Sequence, residues 1–168
     1  MRWIPFVLVA ALGVVLQATL MRLAVLGDAF PDLLVALLVA FSLGAEPAEG
    51  FVAGATLGLG RDLFTAEPFG LGLAAFAVLG WLIARRPGAS AGRPVAHAAL
   101  ALTCSLAASV ASVAALVAQG GLLPLGLAAR RAGLSALSTA LLAALVGALI
   151  WRNARWFGLR RRSEFAGV

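Results

Sequence analysis

Long apolar segments separated by short polar breaks are the feature that most constrains how this chain can fold. A helix of about 20 apolar residues, with a range of about 17–25, crosses the hydrocarbon core of a bilayer. We therefore predict one all-α integral membrane domain over residues 1–168 with six transmembrane helices. The second and fourth segments are short for complete spans. The six segments are residues 4–20, 31–45, 47–64, 71–84, 95–117 and 134–151.

Composition argues against a soluble domain and against nucleic-acid binding. The chain is 62% hydrophobic and 12% charged, with a mean hydropathy of +1.03. Soluble domains are about 45–50% apolar and carry about 25% charged residues. The net charge of +6 comes from arginines that lie between the apolar segments and form no single basic patch. The arginines are therefore expected to set the membrane topology.

Arginine placement and one acidic turn predict the orientation. Six spans with a cytoplasmic N-terminus put most of the arginines in the cytoplasm, as the positive-inside rule requires. Merging residues 31–45 and 47–64 into one span gives nearly the same distribution, but it places Glu46 and Glu49 near the bilayer centre. Each central charge there costs about 2.5–3.5 kcal/mol. We therefore predict six spans and two cytoplasmic termini. The cytoplasmic arginines are then Arg2, Arg85, Arg86, Arg93, Arg152, Arg155, Arg160, Arg161 and Arg162.

A glycine ladder, formed by Gly50, Gly54 and Gly58, leads to Arg61 and Asp62. Small residues at this spacing leave one helix face nearly bare, so that another membrane helix can approach closely. The ladder predicts packing inside this protein's own bundle, or a face offered to a helix of another protein, and the two can coexist. Arg61 and Asp62 are expected to pair or cap at the membrane interface, or to contact a partner. All five residues are candidate partner-interface positions.

The segment after the sixth apolar run is basic. Arg152, Arg155, Arg160, Arg161 and Arg162 lie in residues 152–168 together with two aromatic residues. Basic residues near an anionic membrane surface gain about 1 kcal/mol each. We expect this tail to lie on anionic lipid head groups at the cytoplasmic face. A docking site for a cytoplasmic protein is the alternative.

The residue types that most often act in catalysis are few and scattered along this sequence. Cys104 is the only cysteine and His97 the only histidine, and neither has a sequence pattern that suggests an activating partner. The string from Gly58 to Asp62 has one residue too many for the glycine–aspartate motif of intramembrane aspartyl proteases. The sequence therefore predicts a non-enzymatic protein without catalytic residues, metal or cofactor.

Three short motifs lie between residues 31 and 71: Pro31-Asp32-Leu33-Leu34, the ladder that ends Gly58-Leu59-x-x-Asp62, and Pro68-Phe69-Gly70-Leu71. Together they resemble the rod shape-determining protein MreD family. The resemblance covers about 40 residues closely, and the remainder agrees in size, hydropathy and a basic tail. It implies that Pro31, Asp32, Pro68 and Gly70 are signature positions alongside the ladder and Asp62. It gives none of them a catalytic role.

The resemblance also implies a function and a fold. Proteins of this family are non-enzymatic scaffold subunits of the cell-wall elongation machinery in the bacterial inner membrane. They bind the single-span partner MreC and, through it, the MreB filament and the wall synthases RodA and its transpeptidase. The implied fold is similar to the substrate-binding subunits of energy-coupling-factor transporters.

That fold leaves a second function open, a small-solute (vitamin-like) binding or transport subunit. Such a subunit needs an enclosed pocket with a few converging polar groups. The sequence offers few polar side chains inside its apolar segments. They are Gln17, Thr56, Thr103, Ser105 and Ser109.

Overall fold

A computed structural model describes residues 2–23, 31–65, 68–85, 93–118 and 125–158. These residues form helices joined by turns, and no strand occurs among them. The all-α expectation is therefore confirmed for the described part of the chain. The helices are α1 (Trp3–Leu23), α2 (Leu33–Ser42), α3 (Pro47–Asp62), α4 (Leu71–Ala84), α5 (Pro94–Ala118), α6 (Leu125–Arg152) and α7 (Ala154–Phe157).

Most helix boundaries follow the apolar segments, and α6 is the main difference. α4 covers the same residues as the predicted segment 71–84, and α2 and α3 are separate helices on either side of the Glu46 turn. α6, in contrast, begins at Leu125, well before residue 134, so Arg130 and Arg131 lie within a helix. Leucine, alanine and arginine favour helices, and the segment 125–132 contains no proline. Arg130 and Arg131 therefore interrupt the apolar sequence but not the helix.

The break between α2 and α3 is built by local hydrogen bonding. Pro47 occupies the first turn of α3, where its missing N–H costs nothing. The side chain of Glu49 accepts a hydrogen bond from the backbone N–H of Glu46 at 3.1 Å. A negative charge at this position also complements the helix dipole. The acidic turn therefore starts a new helix, as the sequence predicts.

Successive helices from α1 to α6 run in alternate directions between two ends of the bundle. The backbone N–H of Leu33 donates to Gln17 Oε1 at 2.9 Å, where α1 finishes and α2 starts. Phe6 and Phe41 pack edge to face with ring centroids 5.0 Å apart at the opposite end. We name the two ends after one residue in each. The Arg61 end contains Gln17, Asp32, Arg61, Asp62, Gly70 and Thr139, and the Trp151 end contains Phe6, Phe41, Ala84, His97 and Trp151.

α2 is the centre of the bundle. All ten of its residues are buried, which is expected for a helix that is apolar all round. At 1.5 Å per residue it is about 15 Å long, about half the thickness of a hydrocarbon core. The second segment therefore contributes a short central helix around which the longer helices pack.

Within the described part of the chain, two helices are long and apolar enough to cross a membrane by length and composition. They are Pro94–Ala114 within α5 and Ala129–Arg152 within α6, each 33% buried inside the protein. Trp3–Thr19, Leu33–Ser42 and Leu71–Ala84 are shorter apolar helices. The helical architecture is thus compatible with a membrane protein.

The glycine ladder faces α4 of the same chain. A Cβ atom added at Gly58 would lie 2.7 Å from the Cα of Leu73, and one added at Gly54 would lie 3.0 Å from the Cα of Ala77. These neighbours are backbone atoms, which cannot rotate away. The structure therefore uses the ladder for packing inside the bundle, and α4 occupies the face that the sequence also offers to a partner helix.

We expect Gly54→Ala to lower the free energy of unfolding by about 1–3 kcal/mol, the usual cost of overpacking. The new Cβ would overlap the backbone of α4. Gly133→Ala is the matched control, because a Cβ there has no neighbour within 4 Å. It should be neutral or stabilising by up to about 1 kcal/mol. Unfolding in detergent micelles, followed by tryptophan fluorescence, measures both. Equal effects of the two substitutions would contradict the packing assigned to Gly54.

Candidate functional site

Asp62 is the last residue of α3, and its carboxylate holds the start of α4. Its Oδ1 accepts a hydrogen bond from the N–H of Gly72 at 2.9 Å. Its Oδ2 accepts from Gly70 at 2.8 Å and from Leu73 at 3.1 Å. Gly70 has φ of 96°, in the left-handed region that glycine adopts readily. Asp62 is 5% exposed, and its carboxylate faces free N–H groups at a helix start, a place that suits an acidic side chain.

Arg61 joins α3 to the central helix. Its Nη1 lies 2.8 Å from Asp32 Oδ2 in a mostly buried ion pair. Its guanidinium also lies 5.5 Å from the centre of the Phe76 ring on α4, within the range of a cation–π contact. Of the roles expected for the two neighbours, Arg61 forms an ion pair and Asp62 caps a helix.

Asp32 uses its carboxylate twice. Oδ2 binds Arg61, and Oδ1 accepts hydrogen bonds from the N–H groups of Leu34 and Val35 at 3.1 and 3.2 Å. Asp32 is therefore the N-cap of α2, a position that aspartate strongly favours. Pro31 precedes this cap directly. One carboxylate thus starts the central helix and fixes its position against α3.

Two buried neutral side chains complete the start of α2. The N–H of Asp32 donates to Thr139 Oγ1 on α6 at 2.8 Å, and the N–H of Leu33 donates to Gln17 Oε1 on α1. The first N–H groups of a helix have no partner within it, so these two contacts satisfy groups that burial would otherwise leave unpaired. The sequence marks Gln17 as an internal polar residue. Thr139 has no such signal, because hydroxyl residues are common in membrane helices as packing elements.

These contacts form one polar cluster at the Arg61 end. Three of the signature positions, Asp32, Asp62 and Gly70, meet there, although they are distant in sequence. Pro31 and Pro68 flank the cluster, and the carbonyl of Pro68 accepts a hydrogen bond from Leu71 at 3.1 Å. The glycine ladder runs away from it along α3. The polar cluster consists of Gln17, Asp32, Arg61, Asp62, Gly70 and Thr139.

Exposed apolar side chains project beside the polar cluster, in a surface that we call the α3–α4 knuckle. Leu63 is 65% exposed and Phe69 is 70% exposed. The bonds from Asp62 to Gly70 and Leu73 fix the two sides of this turn relative to each other. Exposed apolar patches mark sites of protein or membrane contact. The knuckle consists of Leu63, Phe64, Pro68 and Phe69.

The Trp151 end is basic and aromatic. Arg152, Arg155 and Trp156 are exposed there, whereas Arg160, Arg161 and Arg162 lie outside the described residues. The backbone N–H of Arg2 donates to the carbonyl of Phe157 at 2.9 Å, so the start of α1 and the end of α7 adjoin. The described arginines at this end are Arg2, Arg85, Arg93, Arg152 and Arg155.

The cavities that adjoin Arg61 are small. One lies towards Gln17 and the other towards Ala108, and each has a volume of about 10 Å³. That volume is close to the minimum for a single water molecule, whereas pockets for small organic ligands measure about 300–1,000 Å³. Among the described residues, no group of three or more histidine, cysteine or acidic side chains could hold a metal ion.

The polar residues that a solute-binding subunit would require do not converge. Thr56 and Ser109 each donate a hydrogen bond to a carbonyl one turn earlier on their own helix. Thr103 does the same with the carbonyl three residues earlier. These groups satisfy their own helices and point to no common ligand.

No protein-family model, curated protein or solved structure matches this chain. The resemblance of its motifs to the MreD family stays a prediction. Function is therefore inferred from the polar cluster and the surfaces around it.

Replacing Asp62 should destabilise the bundle through the start of α4. Asp62→Ala leaves up to three N–H groups without an acceptor, and one buried unsatisfied group costs about 1–3 kcal/mol. We expect a loss of about 2 kcal/mol or more, and a smaller loss for Asp62→Asn, which keeps one acceptor oxygen. Hydrogen exchange at the amides of Gly72 and Leu73 should accelerate with it. Thr103→Ala, an exposed self-bonded position, is the control. Unchanged exchange in Asp62→Ala would refute the capping role.

Exchanging the charges of Asp32 and Arg61 should not restore stability. Each single variant, Asp32→Arg or Arg61→Asp, loses a charged hydrogen bond, at about 1.5–3 kcal/mol. The double variant could rebuild the ion pair, but an arginine at position 32 cannot accept from the N–H groups of Leu34 and Val35. A double-mutant cycle on the free energy of unfolding measures this. Full recovery in the double variant would show that the cap is unimportant.

Proposed function

We propose that this chain is a non-enzymatic scaffold subunit of the bacterial cell-wall elongation machinery, a protein of the MreD type that binds MreC. The observation that carries the proposal is the polar cluster. Asp32, Asp62 and Gly70 belong to three separate motifs of the resemblance. Two bonds bring them together at the end of α3, where Arg61 donates to Asp32 and the adjacent Asp62 accepts from Gly70. If this feature serves a function, the motifs that build it are expected to converge in the fold, as these three do.

The proposed protein lies in the inner membrane with six membrane-embedded helices and both termini in the cytoplasm. Support comes from the alternating direction of α1 to α6 and from the arginines at the Trp151 end, which suits a cytoplasmic side. Arg61 at the opposite end is neutralised by Asp32. The central helix α2 reaches only part of the bilayer depth and is shielded from lipid by the other helices.

In this orientation the α3–α4 knuckle lies at the outer face. A single-span partner with an extracytoplasmic domain leaves the membrane at that level. The knuckle offers it exposed leucine and phenylalanine side chains on a turn that Asp62 holds in place. The partner interface proposed here is therefore the knuckle, with Arg61 and Asp62 behind it, because α4 already covers the glycine ladder. MreB, RodA and its transpeptidase would be reached through MreC.

The Trp151 end suits contact with anionic lipid. Trp156 is exposed beside Arg152 and Arg155, and a tryptophan near arginines favours the head-group region of a membrane. The small-solute alternative has less support, because the cavities next to Arg61 are water-sized and the hydroxyls of Thr56, Thr103 and Ser109 bond to their own helices.

Substitution of the knuckle should separate partner binding from folding. We expect Leu63→Ser with Phe69→Ser to reduce co-purification of MreC about tenfold or more, because about 1.4 kcal/mol of lost contact energy already gives a factor of ten. Both side chains are exposed, so thermal unfolding should change little. Val110→Ser on α5, where the side chain is 69% exposed, is the matched control.

A photo-crosslinking residue in place of Phe69 gives an independent test. It should form a product with MreC, and the same residue at position 110 should not. Full co-purification of MreC with the knuckle variant, together with no crosslink at position 69, would refute the proposed interface.

A further inference from the structure

Three buried polar atoms at the Trp151 end have no hydrogen-bond partner among the described residues. They are Ser42 Oγ, His97 Nε2 and Trp151 Nε1. His97 is 1% exposed and Trp151 is 8% exposed. Buried polar groups in native proteins almost always have a partner, either a protein group or an ordered water molecule. Each of these three atoms therefore calls for a partner, and His97 and Trp151 are near neighbours, with ring centroids 6.4 Å apart.

Helix geometry places the three residues at one level. The bond from Asp32 to Thr139 sets the register of the parallel helices α2 and α6. Because both helices rise by about 1.5 Å per residue, Ser42 lies level with the segment between Gly147 and Trp151. His97 of α5 reaches the same level, since a Cβ added at Gly147 would lie 3.1 Å from His97 Nε2.

The backbone contact of His97 assigns its tautomer. His97 Nδ1 lies 3.0 Å from the carbonyl oxygen of Arg93. A carbonyl only accepts hydrogen bonds, so Nδ1 carries the proton and Nε2 of the neutral ring is an acceptor. The indole N–H of Trp151 can only donate. The two rings thus present a complementary acceptor and donor, and the hydroxyl of Ser42 can do either.

We propose that a single buried water molecule binds at this site and bridges His97 and Trp151. It accepts a hydrogen bond from Trp151 Nε1, donates one to His97 Nε2, and donates its second hydrogen to Ser42 Oγ. Each of these hydrogen bonds would be about 2.8–3.0 Å long. Three hydrogen bonds are typical of a buried water molecule. The water fastens α5 to α6 and α2 where α5 begins.

Nuclear magnetic resonance of the indole protons tests this directly. The protein is labelled with ¹⁵N-tryptophan in lipid nanodiscs, and the Trp151 signal is assigned from its loss in Trp151→Phe. We expect a rotating-frame cross-peak between the Trp151 indole proton and water, with the sign of dipolar contact and not of chemical exchange. The exposed indole of Trp156 provides the comparison for exchange. ¹⁵N-histidine shifts should show an unprotonated Nε2.

Substitution of His97 and of Ser42 should change the water cross-peak to different extents. His97→Phe removes the acceptor and should abolish the water cross-peak, whereas Ser42→Ala should only weaken it. A protected indole proton without a water cross-peak would overturn the proposal. So would a coupling across a direct hydrogen bond from Trp151 Nε1 to His97 Nε2. The measurement on the unmodified protein stands even if a variant fails to fold.

Discussion

The capping of α4 by Asp62 is the interaction on which the rest of this bundle depends. One buried carboxylate satisfies the N–H groups of Gly70, Gly72 and Leu73, and so fixes where α4 begins relative to the end of α3. That register brings Gly72 opposite Gly58. Close backbone packing along the ladder is possible only in this register, because a shift of one residue would place side chains where the glycines now meet.

The ion pair of Asp32 and Arg61 fixes the central helix α2 against α3 in a similar way. Replacing a buried ion pair with apolar residues is often neutral or stabilising, so such a pair is weak support for stability alone. Here Asp32 also caps α2, and Arg61 also contacts the ring of Phe76. We infer that the pair specifies where α2 sits among its neighbours. A helix that is apolar except for its last residue, packed among apolar helices, has few other contacts that would fix its position along the bundle axis.

Helix boundaries that are set by neighbouring residues can be predicted from the sequence. Contacts between residues that are distant in sequence cannot. The Glu46–Pro47 break and the bounds of α4 follow from capping, proline and apolar length. The extent of α6 does not, because Arg130 and Arg131 end an apolar run without ending the helix. Glycine spacing predicts that something approaches α3 closely, but it cannot say which helix. Gly72 and Gly80 could have identified α4 as the neighbour, because two helices approach most closely where both carry glycine. The choice of Asp32 as the partner of Arg61 depends on three-dimensional proximity alone.

The contact between Arg2 and Phe157 has a consequence for how the protein is made. Phe157 packs against Phe41, which packs against Phe6, so the aromatic contacts at the Trp151 end join the earliest helix to the latest described one. α1 is synthesised long before Phe157 of α7. The start of α1 can meet Phe41 as soon as α2 exists, whereas the contact of Arg2 with Phe157 can form only after six helices have been made. The Trp151 end is therefore the last part of the described bundle that can be completed.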